Sequence, residues 1–164
     1  MFSAADIASI VLVGAGATAV MDLWLLLLRR LGVPVSSFAL IGRWVGHFRH
    51  GRFAHAAIGK APPVQGELVL GWAVHYATGI AYAGLLVAWC GGAWLRQPSA
   101  LPALLFGIAT VVVPLFVMQP AMGAGFAAMK TPTPLRNGLR SLANHAVFGF
   151  GLFLSAAALA WAAS

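Results

Sequence analysis

The sequence predicts an all-α, polytopic membrane protein: a bundle of four transmembrane helices. Three observations carry the prediction. Of 164 residues, 61% are hydrophobic and only 8% charged; four apolar runs are long enough to cross a bilayer; and the basic residues gather in the connections between those runs. Soluble domains carry about 25% charged residues, so this chain has too little polar surface to cover a water-facing globule. In lipid the difficulty disappears, because helices satisfy their own backbone groups and can be apolar on the outside. Residues 1–164 are therefore expected to form a single integral membrane domain.

The first run, residues 7–28, contains Asp22 and stops before Arg29 and Arg30. It lacks a basic leader and is too long for a cleaved signal, so it is expected to remain as the first span. The connection over 29–66 carries Arg29, Arg30, Arg43, Arg49, Arg52 and Lys60. Its central stretch, from Ile41 to His55, mixes aromatic and basic residues as an interfacial helix does. His47, His50 and His55 within it are candidate metal ligands. The reading favoured over metal is a solvated basic segment lying on anionic lipid headgroups, since no Cys, Asp or Glu joins the three. Ala61-Pro62-Pro63 ends that segment.

The second span is expected over 68–90 and the third over 101–119, where Pro114 and the following Pro120 predict a kink or a broken helix. The fourth is expected over 142–163. The connection between the last two spans carries Lys130, Arg136 and Arg140, whereas the one between the second and third has only Arg96. Basic loops face the cytoplasm, so both termini and Arg96 are expected on the outer side of the membrane. Trp89, Trp94 and Trp161 then anchor the outer interface and Trp72 the inner one.

The formal net charge of +7 does not point to nucleic acid, because the basic residues flank membrane spans instead of forming a patch on a soluble fold. A single cysteine, Cys90, excludes an intrachain disulfide and a cysteine-based zinc site.

Two stretches align without gaps: Gly71-Trp-Ala-Val-His75-Tyr-Ala-Thr-Gly79, and Ser141-Leu-Ala-Asn-His145-Ala-Val-Phe-Gly149. Val20-Met21-Asp22 and Val117-Met118-Gln119 match in the spans before them, which suggests two parallel helix-pair repeats. Helical rise from the basic flanks puts Asp22 about 10 Å, His75 about 12 Å and His145 about 7 Å from the cytoplasmic edge. Residues four apart share a stripe, and each polar residue shares one with small residues: Gly14, Thr18 and Asp22; Gly71, His75 and Gly79; Ser141, His145 and Gly149. The expected site is therefore Asp22, His75, Gln119 and His145, in the cytoplasmic half, with Met21, Met118, Met122, Asn144 and Tyr76 as secondary candidates.

Polar groups inside a membrane are costly and default to functional hypotheses. Neutral imidazoles with a carboxylate suit a transition metal, nearby methionines suit Cu(I), and facing histidines suit haem b. That binding function is the first expectation. A proton-linked small-molecule or ion transporter, acting as a homodimer or larger oligomer, is the second. A structural or accessory membrane subunit, whose polar cluster only pins helices together, is the third. Nucleophile elbows, paired-carboxylate sites, phosphate loops and His-Glu-x-x-His are all missing, so the sequence leans away from an enzyme; Ser141 reads as a helix cap.

Several segments resemble a bacterial inner-membrane family catalogued as domain of unknown function 2938. They are Ala17-Thr-Ala-Val-Met-Asp22, Gly42-Arg-Trp-Val-Gly-His47, Gly71-Trp-Ala-Val-His-Tyr76, Gln119-Pro-Ala-Met-Gly123, Thr131-Pro-Thr-Pro134 and Arg140-Ser-Leu-Ala-Asn-His145 with Phe148-Gly149. The resemblance implies a four-span protein of the bacterial inner membrane, with both outer-side termini then periplasmic, and supplies no activity, cofactor or catalytic residue.

Overall fold

A computed structural model describes residues 2–163. It is all-helical, with no strand among the described residues. Four helices are long and apolar enough to cross a membrane: α1 (Ala4–Arg30), α3 (Glu67–Cys90), α4 (Ala100–Ala121) and α5 (Pro134–Ala162). A short helix, α2 (Phe38–Gly46), lies in the connection but covers only the first part of the stretch Ile41–His55 where an interfacial helix is expected; a 3-10 turn over His47–His50 follows, and Gly51 at φ +67° ends it before the prolines. The chain is a membrane protein, and its outward apolar side chains fit that solvent: Leu23 is 67%, Val69 74% and Leu101 66% exposed, which water would penalise and lipid does not.

Helix ends follow local chemistry. Ser3 and Asp6 form a capping box, with Asp6 N donating to Ser3 Oγ at 3.1 Å and Ser3 N donating to Asp6 Oδ2 at 3.0 Å. At the other end Arg29 and Arg30 meet the negative pole of the helix. The fourth helix starts at Pro134, earlier than the apolar run that begins at 142. Proline fits the first helical position because its missing N–H would be unbonded there. Arg136 and Arg140 therefore ride on the first turns of α5 and not in a loop.

The expected break in the third span is a defined irregularity. Pro114 cannot donate to Thr110; Val113 N donates to Thr110 O at 3.1 Å instead, and Leu115 N to Val111 O at 3.1 Å. The next turn, Pro114–Met118, is a π-helix, closed by Gln119 N donating to Pro114 O. One π turn inserts a residue and rotates all later side chains by about 100° around the axis.

Two compact units are distinguished within the chain. The first comprises residues up to 33, 76–109 and those from 144 on. Its core contains Val13 and Ala17 of α1, Leu86 and Val87 of α3, Ala103 of α4, and Phe148 and Leu152 of α5. Small residues let these helices touch backbone to backbone: a Cβ on Gly14 would lie 2.5 Å from Ile80 Cα, and one on Gly107 2.7 Å from Gly149 N. The glycines that close the two matched segments make corresponding contacts, each with the preceding span: Gly79 against Thr18 of α1, and Gly149 against Ala103 and Gly107 of α4.

The second unit comprises residues 34–75 and 110–143. In it α2 lies against the first turns of α3 through Gly42 and Gly71, where a Cβ on Gly42 would overlap the Glu67 carbonyl oxygen and lie 2.6 Å from Gly71 N. The segment after α2 pairs its backbone with the end of α4: His55 N donates to Ala121 O at 2.8 Å and Ile58 N to Met122 O at 3.0 Å. Gly123, at φ +95°, allows this approach, since a side chain there would run into Ala56.

Candidate functional site

In the first unit the helix stripe that carries Gly14 and Thr18 ends on Asp22. Thr18 is buried and donates back to Gly14 O at 2.8 Å, so its hydroxyl is spent on its own helix. Asp22 Oδ2 accepts from the Tyr76 hydroxyl of α3 at 2.9 Å. Two residues on, Trp24 Nε1 donates to Asn144 Oδ1 of α5 at 3.0 Å. These bonds tie α1 to α3 and α1 to α5 by polar contacts inside a membrane span. Met21 packs against the apolar core, so its thioether is used in packing. His145 lies one turn before Gly149; its carbonyl oxygen would be 2.7 Å from a Cβ on Gly107, so the backbone of α4 lies directly against this turn.

The second unit holds the other two expected residues. His75 stacks on Phe38 of α2, with centroids 4.3 Å apart and planes at 30°, and meets Trp72 edge-on at 5.9 Å. Gln119 follows the π turn directly. Its Nε2 donates to Ser141 Oγ of α5 at 3.4 Å, while its Oε1 is buried without a hydrogen-bond partner among the described residues. A buried acceptor left unsatisfied costs about 1–3 kcal/mol. Met118 closes the π turn, and Met122 gives its carbonyl to Ile58 N. The structure thus groups Asp22 with Tyr76, Asn144 with Trp24, and Gln119 with Ser141.

The loop histidines do not form a three-imidazole set. His47 is buried; its Nε2 contacts Pro62 O at 3.1 Å and its Nδ1 contacts His55 Nε2 at 2.7 Å. Because a carbonyl only accepts, His47 carries its hydrogen on Nε2 and accepts at Nδ1, so His55 donates from Nε2. That leaves the His55 Nδ1 lone pair buried and unpartnered among the described residues. Burial lowers the His55 pKa below the ordinary histidine value, and the nearby His47 and Arg52 lower it further. His50 Nε2 accepts from Arg49 Nε at 3.0 Å. Among the described residues no group of three or more His, Cys, Asp or Glu side chains is arranged to hold a metal ion.

The best-formed ion pair among the described residues escaped the sequence reading. Arg43 forks onto Glu67, Nε to Oε2 at 2.8 Å and Nη2 to Oε1 at 2.7 Å, and its Nη1 reaches Ala61 O at 3.1 Å. Glu67 also accepts from Val64 N at 3.0 Å. The bond to Glu67 raises the Arg43 pKa above its ordinary value. The available signal was that Glu67 is one of only three acids in the chain and stands at the start of a span.

Comparisons with curated proteins and with solved structures found no match. The family model for Protein of unknown function (DUF2938) matches residues 11–159, nearly the whole chain, and the protein belongs to that family.

Proposed function

We propose that the protein is a small inner-membrane transporter that moves a polar solute or ion in step with a proton, working as a homo-oligomer with both termini periplasmic. The observation that carries this reading is the π turn of α4, followed at once by Gln119, whose buried oxygen has no partner among the described residues. Irregular backbone within a membrane is tolerated where it is buried in protein or lines a water-filled cavity, and π turns recur at functional positions. The Asp22 carboxylate with its Tyr76 hydroxyl is the proton-accepting element, since intramembrane carboxylates mark proton paths. The basic residues of the 29–66 connection, together with Lys130 and the Arg136 and Arg140 of the first turns of α5, support a cytoplasmic placement of these segments.

The test is a proteoliposome assay. Internal pH is followed by a trapped dye while small cations and small zwitterions are added outside under an imposed pH gradient. The expected result is solute-dependent proton entry that Asp22→Asn abolishes, that Gln119→Leu reduces about tenfold by removing the acceptor, and whose pH profile Tyr76→Phe shifts. Unchanged entry in Asp22→Asn defeats the reading. A stoichiometric metal or a Soret band in the same purified protein would replace it with metal or haem binding.

A further inference from the structure

Basic residues at a membrane surface are common, but here several of them surround a cavity. A space of about 410 Å³ lies between the turn bearing His47, Arg49, His50 and Arg52 and the wall formed by Pro62, Pro63 and Val64. Gly51, at φ +67°, makes the turn that places basic residues on both its sides. Among the described residues no carboxylate lines the space. The nearby acid, Glu67, is already held by Arg43, whose guanidinium is in turn spent on Glu67 and on backbone carbonyls.

We propose that this cavity binds a phosphate group, carried by a phospholipid headgroup or free in solution. The donors are in place. Arg49 uses Nε on His50, which keeps its terminal N–H groups for a bidentate contact with phosphate oxygens. Since His50 Nε2 accepts that bond, its hydrogen sits on Nδ1, a further donor. Arg52 supplies the second fixed positive charge. Among the described residues neither arginine has a carboxylate within ion-pair distance. His47, buried at 6% exposure, lines the space and its bond to Pro62 O at 3.1 Å joins it to the proline wall, while its other nitrogen is held by His55 outside the lining. A phosphate fills only part of this volume, leaving room for the glycerol of a headgroup.

Adjacent aromatics supply a membrane contact. Trp44, Phe48 and Phe53 form a chain of rings, 5.0 Å and 5.1 Å between centroids, and Phe53 is 61% exposed. Aromatic rings beside arginines seat a segment at the headgroup level, with the rings in the acyl boundary and the cations at phosphate depth. The site is independent of the transport reading and stands if that reading fails.

The experiment is native mass spectrometry of the full chain in detergent, with phosphatidylglycerol added and with phosphatidylcholine as zwitterionic control, plus calorimetric titration with inorganic phosphate. Two variants with equal loss of charge are compared: Arg49→Gln with Arg52→Gln, inside the cavity, and Lys60→Gln with Lys130→Gln, outside it. The expected result is one retained phosphatidylglycerol, or one bound phosphate, per chain. Retention falls at least about tenfold in the cavity variant and is unchanged in the lysine variant. Displacement of the lipid by millimolar phosphate identifies the free ion as the source; retention against it identifies the headgroup. Equal binding in the cavity variant and the wild type overturns the proposal, as does an equal loss in the lysine variant or no binding of either probe.

Discussion

The contact between α2 and α3 gives the sharpest quantitative prediction, because one substitution is expected to act with opposite signs at two places. At Gly42 an added methyl would overlap the Glu67 carbonyl and sit 2.6 Å from Gly71 N; at Gly71 it would overlap Phe38 O. Ordinary contacts require about 3.5–4 Å, so α2 must withdraw by roughly 1 Å or more. Overpacking of this kind costs about 1–3 kcal/mol. The withdrawal also loosens the Phe38 rings contacts with Trp72 at 4.4 Å and His75 at 4.3 Å, together about 1–3 kcal/mol. Replacing a helical glycine by alanine returns about 1 kcal/mol, which leaves a net loss near 3 kcal/mol for Gly42→Ala or Gly71→Ala. For a chain of this size that is roughly 6–12 °C in melting temperature. Gly138, on α5, has nothing within 4 Å of its would-be Cβ, so Gly138→Ala keeps only the helix gain of about 1 kcal/mol. Thermal melts in one detergent, followed by circular dichroism, compare the three. Gly42→Ala and Gly71→Ala melting at or above the wild type would refute the argument from close backbone approach.

Two further outcomes follow from the loop region. The folded state holds His55 below the ordinary value of about 6.5, so it binds fewer protons than the unfolded chain, and the corresponding stability is present above that value and lost as pH falls. The melting temperature measured from about pH 7.5 to about pH 5.5 should drop more steeply in the wild type than in His55→Gln; parallel curves would remove His55 from the account. Arg43 and Glu67 are only 14% and 17% exposed, less screened than a surface pair. A double-mutant cycle with Arg43→Gln and Glu67→Gln should give a coupling of about 1–3 kcal/mol that survives added salt; a coupling near zero would reduce the fork to a surface contact.

Sequence alone determined the membrane class, because composition and run length report directly on the solvent a helix can face. The four spans, the helical insert near Arg43 and the break at Pro114 were legible for the same reason: each depends on local properties, hydropathy or a missing N–H. The start of α5 was not, since hydropathy marks the apolar run while the helix extends outward through Arg136 and Arg140 to the proline that opens it. Asp22, Gln119 and Asn144 were recognisable as candidates because polar groups are rare in apolar runs. The bonds from Tyr76 to Asp22 and from Trp24 to Asn144 were not, because they join residues 54 and 120 positions apart.

Tertiary structure alone decided which polar groups are satisfied. Spacing suggested a shared metal among His47, His50 and His55, yet packing turned His47 toward Pro62 and His55, and His50 toward Arg49. Likewise Arg43, Arg49 and Arg52 look equivalent along the chain, but among the described residues only the first meets a carboxylate, while the other two border an open space. Residue type fixes the number of donors and acceptors a side chain brings. Their directions depend on backbone approach, here set by glycines at Gly42, Gly71 and Gly123 whose neighbours come from distant parts of the chain.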